Sequence, residues 1–158
     1  MPRIEIASLQ ELKERIGQEI AVSEWLEMTQ ERVDLFAQAT GDHQWIHVDP
    51  VRAARESPFG AAIAHGFLTL SLLSKFLGES IAFTSARVGV NYGLNRVRFT
   101  APVPVGARIR ARLRLRNVED LETPGQGCGV QMTWDVTLER EDSDKPCLVA
   151  EWLTRRYE

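Results

Sequence analysis

The sequence is poor in cysteine, with only Cys128 and Cys147 among its 158 residues. Two cysteines are too few for a disulfide framework, and their spacing is not that of paired metal ligands. We therefore expect two free thiols, in separate strands, in a protein of the reducing cytoplasm.

The sequence also lacks a long apolar run and a large excess of one charge. The longest apolar stretch, Gly66–Leu77, is interrupted by polar residues and is too short to span a bilayer. The segment Met1–Gly17 is too charged to contain the apolar part of a signal peptide. Because the formal net charge is only −3, we expect neither nucleic acid nor a membrane as a partner.

The composition is that of an ordinary globular protein, with 44% hydrophobic and 26% charged residues. A chain of this length can bury a real core. No repeat, low-complexity tract or linker divides it, so we predict a single domain over residues 1–158.

Helix signals are concentrated in the first half of the chain. Thr29 can cap a helix over Gln30–Ala39, which Gly41 would end. A loop over Asp42–Asp49 is expected next. The dipeptide Asp49-Pro50 then starts another helix, with aspartate as the cap and proline in the first turn.

A buried helix and a sheet are predicted further along. The segment Phe67–Leu77 is apolar around most of its circumference, which predicts a helix buried on nearly all sides. Apolar and polar residues alternate in Arg108–Arg116 and Val130–Leu138, and Leu148–Tyr157 forms a last strand. With an early strand at Glu19–Glu27, the order predicts an α+β fold in which a long curved antiparallel sheet wraps around the buried helix.

The histidines His43, His47 and His65 are the first candidates for chemistry, and two of them lie in the polar loop. Asp42 and His47 are five residues apart, and a loop can bring them around one water molecule. An imidazole and a carboxylate can then divide acid and base work. Taken singly, Asp42 is as well explained by a turn and His47 by a loop hydrogen bond. His43 is expected to face solvent.

A metal site in this loop is an alternative explanation of its polar residues. Asp42, His43, His47 and Asp49 are all of ligand type. However, adjacent Asp42 and His43 tend to point apart, and no helical His-x-x-x-His pattern occurs. We expect no metal.

A second candidate site is His65-Gly66, immediately before the buried helix. The first N–H groups of a helix have no internal partners, and glycine permits close approach of a substrate carbonyl, so an oxyanion site is possible in principle. Tight packing at the helix start explains Gly66 equally well. Of the helix hydroxyls, Ser71 and Ser74, at least one is expected to bond back to the previous turn.

Together, Gly41-Asp42-His43-Gln44-Trp45-Ile46-His47 and Ala64-His65-Gly66-Phe67 resemble the motif of the MaoC-like dehydratases, the (R)-specific enoyl-CoA hydratase group of the hot-dog superfamily. That motif is roughly Gly-Asp-x-Asn-Pro-hydrophobic-His, then a short helix, then His-Gly at the head of the central helix. Both spacings are preserved, most clearly within 29–106. Gln44-Trp45 stands where Asn-Pro is usual, which resembles the branch related to nodulation protein N. Trp45 at this position puts the acyl-chain preference in question.

The resemblance implies a hot-dog fold and specific roles for four residues. Asp42 and His47 hold and activate one water, and the Gly66 N–H polarises a thioester carbonyl. Ser74 matches a family serine that helps to fix Asp42 or the substrate. The implied reaction is reversible hydration of trans-2-enoyl-CoA to (R)-3-hydroxyacyl-CoA, with coenzyme A as part of the substrate and no separate cofactor. Family members commonly dimerise edge to edge, so a cytoplasmic homodimer of fatty acid metabolism is expected.

Two other functions remain open on the sequence. A hot-dog acyl-CoA thioesterase would share the fold and the helix-head site but place its carboxylate differently. A non-catalytic acyl-thioester-binding protein would not need the Asp42/His47 pair. Arg87, Arg96, Arg98 and the alternating arginines of 108–116 offer charge for coenzyme A phosphates, although a solvated strand face is the simpler explanation for most of that series.

Overall fold

The structure is a computed structural model that describes residues 3–123 and 127–157. The helices of this part are α1 (Leu9–Glu14), α2 (Gln30–Thr40), α3 (Trp45–Val48), α4 (Pro50–Glu56), α5 (Gly66–Ser71) and α6 (Leu73–Ser80). Its strands are β1 (Ile4–Ile6), β2 (Glu19–Val22), β3 (Leu26–Glu27), β4 (Ile81–Phe83), β5 (Val88–Phe99), β6 (Arg108–Thr123), β7 (Gly127–Arg140) and β8 (Ser143–Tyr157).

An antiparallel sheet forms most of the molecule. Its strand order is β2-β6-β7-β8-β5, and β3 also pairs with β6. A separate two-stranded parallel sheet joins β1 to β4. The sequence did not predict this small sheet, because strands of three residues are too short to show a period of two. The connection between β6 and β7 includes residues 124–126, which lie outside the described part.

The predicted alternation of the long strands is confirmed. Ile109, Ala111, Leu113 and Leu115 of β6 are buried, as are all five alternating apolar residues of Val130–Leu138 in β7. The arginines between them lie on the opposite face. Most are paired with carboxylates across the strands, which favours the solvated-face explanation: Arg108 with Glu141, Arg110 with Glu139, Arg112 with Glu139 and Glu19, and Arg116 with Asp135 and Glu151.

The helix predicted over Phe67–Leu77 exists, but it is not buried on nearly all sides as predicted. It divides into α5 and α6 at Leu72, which keeps right-handed helical angles. Leu68, Leu73 and Phe76 enter the core, whereas Phe67 is 71% exposed. The helix therefore has one buried side and one exposed side. The side chains of β5 are mostly exposed as well.

The first half of the chain follows the local signals with two corrections. Thr29 caps α2 through a hydrogen bond from the Arg32 N–H, and Gly41 ends it with a left-handed φ of 78°. The predicted loop 42–49 contains the helical turn α3, and the predicted strand 19–27 is split into β2 and β3. Within the described residues, no helix is long and apolar enough to cross a membrane.

Candidate active site

Asp42 and His47 lie on the chain that links α2 to α4. The left-handed Gly41 turns the backbone out of α2, and the Asp42 carboxylate accepts a hydrogen bond from the Gln44 N–H at 3.3 Å. The turn α3 then directs His47 inward. The Asp42 side chain remains 54% exposed, while His47 is buried.

Two hydrogen bonds fix His47. Its Nδ1 donates to the Ile63 carbonyl at 2.7 Å, and its own backbone carbonyl accepts from Gln30 Nε2 at 2.8 Å. With the proton on Nδ1, Nε2 is the basic nitrogen of the neutral ring. The imidazole is therefore oriented, and its tautomer is set, by contacts remote in sequence.

His65 joins the two predicted residues, a contact that the sequence analysis missed by treating His65 only as the neighbour of Gly66. Its Nε2 donates to the Asp42 carbonyl at 2.9 Å. Its ring stacks on His47 with centroids 3.8 Å apart and also contacts Phe36 at 5.0 Å. One carboxylate oxygen of Asp42 and one nitrogen of each histidine lie within 4.8 Å of one another.

The surroundings favour the neutral form of His47. Burial is the main cause that lowers the pKa of His47 below its usual 6.5, and the nearby His65 acts in the same direction. The hydrogen bond to Ile63 and the Asp42 carboxylate oppose this shift. A neutral imidazole beside a carboxylate can accept a proton from water.

The side chains of Asp42, His47 and His65 are all of metal-ligand type. This cluster differs from the four loop residues that the sequence offered as metal ligands. It contains His65 in place of His43 and Asp49, which are both exposed. The two imidazole planes are inclined by only 23°. The absence of a metal remains a prediction.

Gly66 occupies the first position of α5. Its N–H donates to no acceptor within residues 3–123 and 127–157. A Cβ atom here would lie 3.1 Å from the Phe99 ring, so glycine also permits close packing. Gly66 lines a cavity of about 380 Å³ with Phe59, Thr69 and Phe99. The Gly66 N–H suits an oxyanion site, and the nearby Phe99 ring explains the need for a small residue. Both explanations of Gly66 thus have a structural basis.

The two helix hydroxyls have different surroundings. Ser71 bonds back to the Leu68 carbonyl at 2.8 Å, as expected for one of them. Ser74 is exposed and lines a cavity with Asn91 and Trp152. In the described part of this chain Ser74 makes no hydrogen bond to Asp42, and the role that the resemblance implies for Ser74 remains a prediction.

Trp45, which replaces the usual proline of the motif, does not line the cavity beside Gly66. Its ring packs under the Arg52 guanidinium, 4.4 Å from the ring centroid. The tryptophan therefore contacts α4.

Comparisons with known proteins identify the relatives of this chain. The "MaoC like domain" family matches residues 11–132. The 3-hydroxyacyl-thioester dehydratase Z of Mycobacterium tuberculosis is 51% identical over 94% of this chain and 95% of its own length. Nodulation protein N of Rhizobium leguminosarum bv. viciae is 48% identical over 93% of this chain and 89% of its own.

The structure is similar to that of the R-hydratase PhaJ1 from Pseudomonas aeruginosa in its unliganded form. The TM-score is 0.64 at 25% identity, over 90% of this chain and 82% of that one. The α+β hot-dog fold implied by the resemblance is thereby confirmed. The chain belongs to the MaoC-like dehydratase family, and it is an enzyme of the hydratase and dehydratase class.

Proposed function

We propose that the protein catalyses reversible hydration of trans-2-enoyl thioesters to (R)-3-hydroxyacyl thioesters. The observation that carries this proposal is the meeting of the Asp42 carboxylate with the oriented imidazole of His47, whose surroundings favour its neutral form. The ring of His65 stacks on His47, and the N–H of the next residue, Gly66, has no acceptor within the described residues. The relationship to a 3-hydroxyacyl-thioester dehydratase supports the same substrate class.

The chemistry follows from these groups. Asp42 and His47 hold one water, which adds to C3 of the enoyl thioester while the pair takes up its proton. Negative charge then develops on the thioester oxygen as an enolate, and the Gly66 N–H donates to that oxygen. Protonation of C2 by the same pair completes the addition. The reverse sequence is dehydration.

Variants of the pair test the assignment. Asp42→Asn and His47→Ala should each reduce turnover of crotonyl-CoA by roughly 10²–10⁴, the usual cost of losing an acid or base. His43→Gln is the matched control, because His43 is exposed on the same loop. Circular dichroism should show that all three variants fold.

The assay also separates hydration from hydrolysis. Loss of the conjugated enoyl absorbance without release of free thiol indicates hydration, whereas thiol release indicates a thioesterase. Near-wild-type rates in Asp42→Asn or His47→Ala would contradict the catalytic assignment. Assays across enoyl-CoA chain lengths then define the acyl preference, and assays with acyl carrier protein define the carrier.

We further propose a homodimer that forms through β5. Within the described residues β5 pairs only with β8, so its other edge is open. Val88, Val90, Tyr92 and Leu94 on this strand are exposed, and Phe67 of α5 is exposed beside them. A long, apolar, open edge is unfavourable in water unless it is covered.

A cytoplasmic location is consistent with the two free thiols, Cys128 and Cys147, which lie in β7 and β8.

A further inference from the structure

The inner face of β8 ends in an arginine. Leu148, Ala150, Trp152 and Thr154 alternate along this face and are all buried. Because side chains two residues apart point the same way, Arg156 extends the row and is half-buried. An arginine in line with core residues requires an explanation, since burial of an unpaired charge is unfavourable.

Arg156 has no carboxylate partner within the residues that the structure describes. Its guanidinium donates one hydrogen bond, to the Arg155 carbonyl, and rests over the Phe83 ring at 4.6 Å. It lies across the backbone of Gly89, where a Cβ atom would overlap it. Burial lowers the pKa of Arg156. A guanidinium has five N–H donors, so most of those on Arg156 have no acceptor within residues 3–123 and 127–157.

The guanidinium faces a cavity of about 340 Å³ that is rich in donors. Among the described residues, those that line it include Ser74, Asn91, Thr154 and Arg156, and none of them is acidic. Asn91 Oδ1 accepts from Trp152 Nε1 at 2.7 Å, which leaves the amide Nδ2 of Asn91 as a donor. A half-buried cation with hydroxyl and amide donors around it is a suitable environment for an oxyanion.

A row of cavities runs along α5 and α6 from this one toward Gly66. Ser74, Asn91 and Trp152 line it and also line an adjoining apolar cavity of about 230 Å³ next to Phe67. The Phe67 ring contacts the ring of Phe99, with centroids 6.0 Å apart, and Phe99 lines the cavity beside Gly66. Ser74 follows Gly66 by eight positions, or about 12 Å along a helix at 1.5 Å per residue. An extended ligand anchored at Gly66 would pass the Phe67 and Phe99 rings to reach the Arg156 cavity.

We propose that Arg156 and its cavity form a subsite for an anionic group of the substrate, a carboxylate or a phosphate. The inference rests on the proposed function because it assumes a thioester anchored at Gly66. Two parts of such a substrate carry this chemistry: a carboxylate at the far end of the acyl chain, and the phosphates of coenzyme A. Both would supply a counter-charge to Arg156, which has no carboxylate partner in the described part of the chain.

Binding of unreactive, saturated thioesters tests the subsite without requiring catalysis. Calorimetry would compare decanoyl-CoA, sebacoyl-CoA, which adds a terminal carboxylate, and decanoyl-pantetheine, which lacks the phosphates. The variant is Arg156→Gln. The matched control is Arg114→Gln, because Arg114 also donates to a backbone carbonyl, that of Gly17, but lies exposed on the outer face of the sheet.

We expect Arg156→Gln to weaken binding of one ligand class by about tenfold to a hundredfold, as for a lost charge-assisted hydrogen bond. A loss confined to sebacoyl-CoA identifies the acyl carboxylate. A loss for both CoA thioesters but not for decanoyl-pantetheine identifies the phosphates. Arg114→Gln should change none of these affinities. Gly89→Ala, which displaces the guanidinium but keeps its charge, should weaken the same ligand.

Other results would overturn the subsite. Equal affinities of wild type and Arg156→Gln for all three ligands would do so. An Arg156→Gln protein that loses its oligomeric state in sedimentation experiments would assign the arginine to a subunit contact instead. Failure of the wild type to hydrate any enoyl thioester, with the binding difference retained, would remove the proposed reaction and leave the anion subsite in place.

Discussion

The imidazole rings of His47 and His65 stack with centroids 3.8 Å apart and planes inclined by 23°. Each ring donates to a backbone carbonyl, His47 to Ile63 and His65 to Asp42. Two protonated rings at this separation would repel each other, so charge on one disfavours charge on the other. The stack thus links the position of Asp42 to the protonation state of His47.

The first prediction concerns the pH dependence of the rate. The proposed hydration requires neutral His47, and the pKa of His47 is lowered from 6.5 mainly by burial and further by His65. The acid limb of kcat/KM should therefore fall below pH 6.5 in the wild type. In His65→Gln, which can still donate to the Asp42 carbonyl, this limb should move to higher pH. An unchanged or lower limb in His65→Gln would show that the stack does not affect His47.

The same shift predicts a pH effect on stability. Between the lowered pKa of His47 and 6.5, the unfolded chain binds a proton that the folded chain does not. The contribution of His47 to the free energy of unfolding should accordingly decrease as pH falls through this window. Urea denaturation at several pH values should show a shallower slope there for His47→Gln than for the wild type.

A third prediction isolates the Gly66 N–H. Proline is tolerated at the first position of a helix, and His65 already has the extended conformation that suits a residue before proline. Gly66→Pro removes the N–H, whereas Gly66→Ala adds a Cβ near Phe99 but keeps the N–H. We expect turnover of Gly66→Pro to be roughly 10²–10³ lower than that of Gly66→Ala. Equal rates in the two variants would favour packing as the reason for glycine.

A fourth prediction concerns a buried polar pair in the core. Trp134 Nε1 donates to Thr154 Oγ1 at 3.0 Å, and both residues are buried. Thr154→Val leaves the indole N–H without an acceptor and should lower the free energy of unfolding by about 1–3 kcal/mol. Thr137→Val on the outer face is the control, and urea denaturation is the measurement. A loss no larger than that of the control would mean that another acceptor replaces the hydroxyl.

The last prediction tests the dimer through β5. Leu94→Arg places a charge on the exposed apolar edge, and it should shift the protein from dimer to monomer in sedimentation equilibrium. Leu35→Arg is the control, because Leu35 is a similarly exposed leucine on α2, away from β5. If both variants keep the oligomeric state of the wild type, the interface lies elsewhere.

The elements with strong local signals could be predicted from the sequence. The caps at Thr29 and Asp49 and the alternation in β6 and β7 follow from neighbouring residues alone. The failures are elements with little local signal, such as the pairing of β1 with β4 and the single turn α3. Short elements depend on their partners, which the local pattern does not contain.

For the candidate site, the sequence determined which residues are candidates for the chemistry. The spacing of Asp42, His47 and His65-Gly66 identified both halves of the site and indicated the family. Only the tertiary structure decided how they meet. His65 bonds to Asp42 across 23 positions, and His47 bonds to Ile63 across 16. It also left Arg156 facing a cavity whose described lining residues include no carboxylate. Such contacts depend on the packing of the helices on the sheet, and a linear pattern holds no information about which charges that packing leaves unpaired.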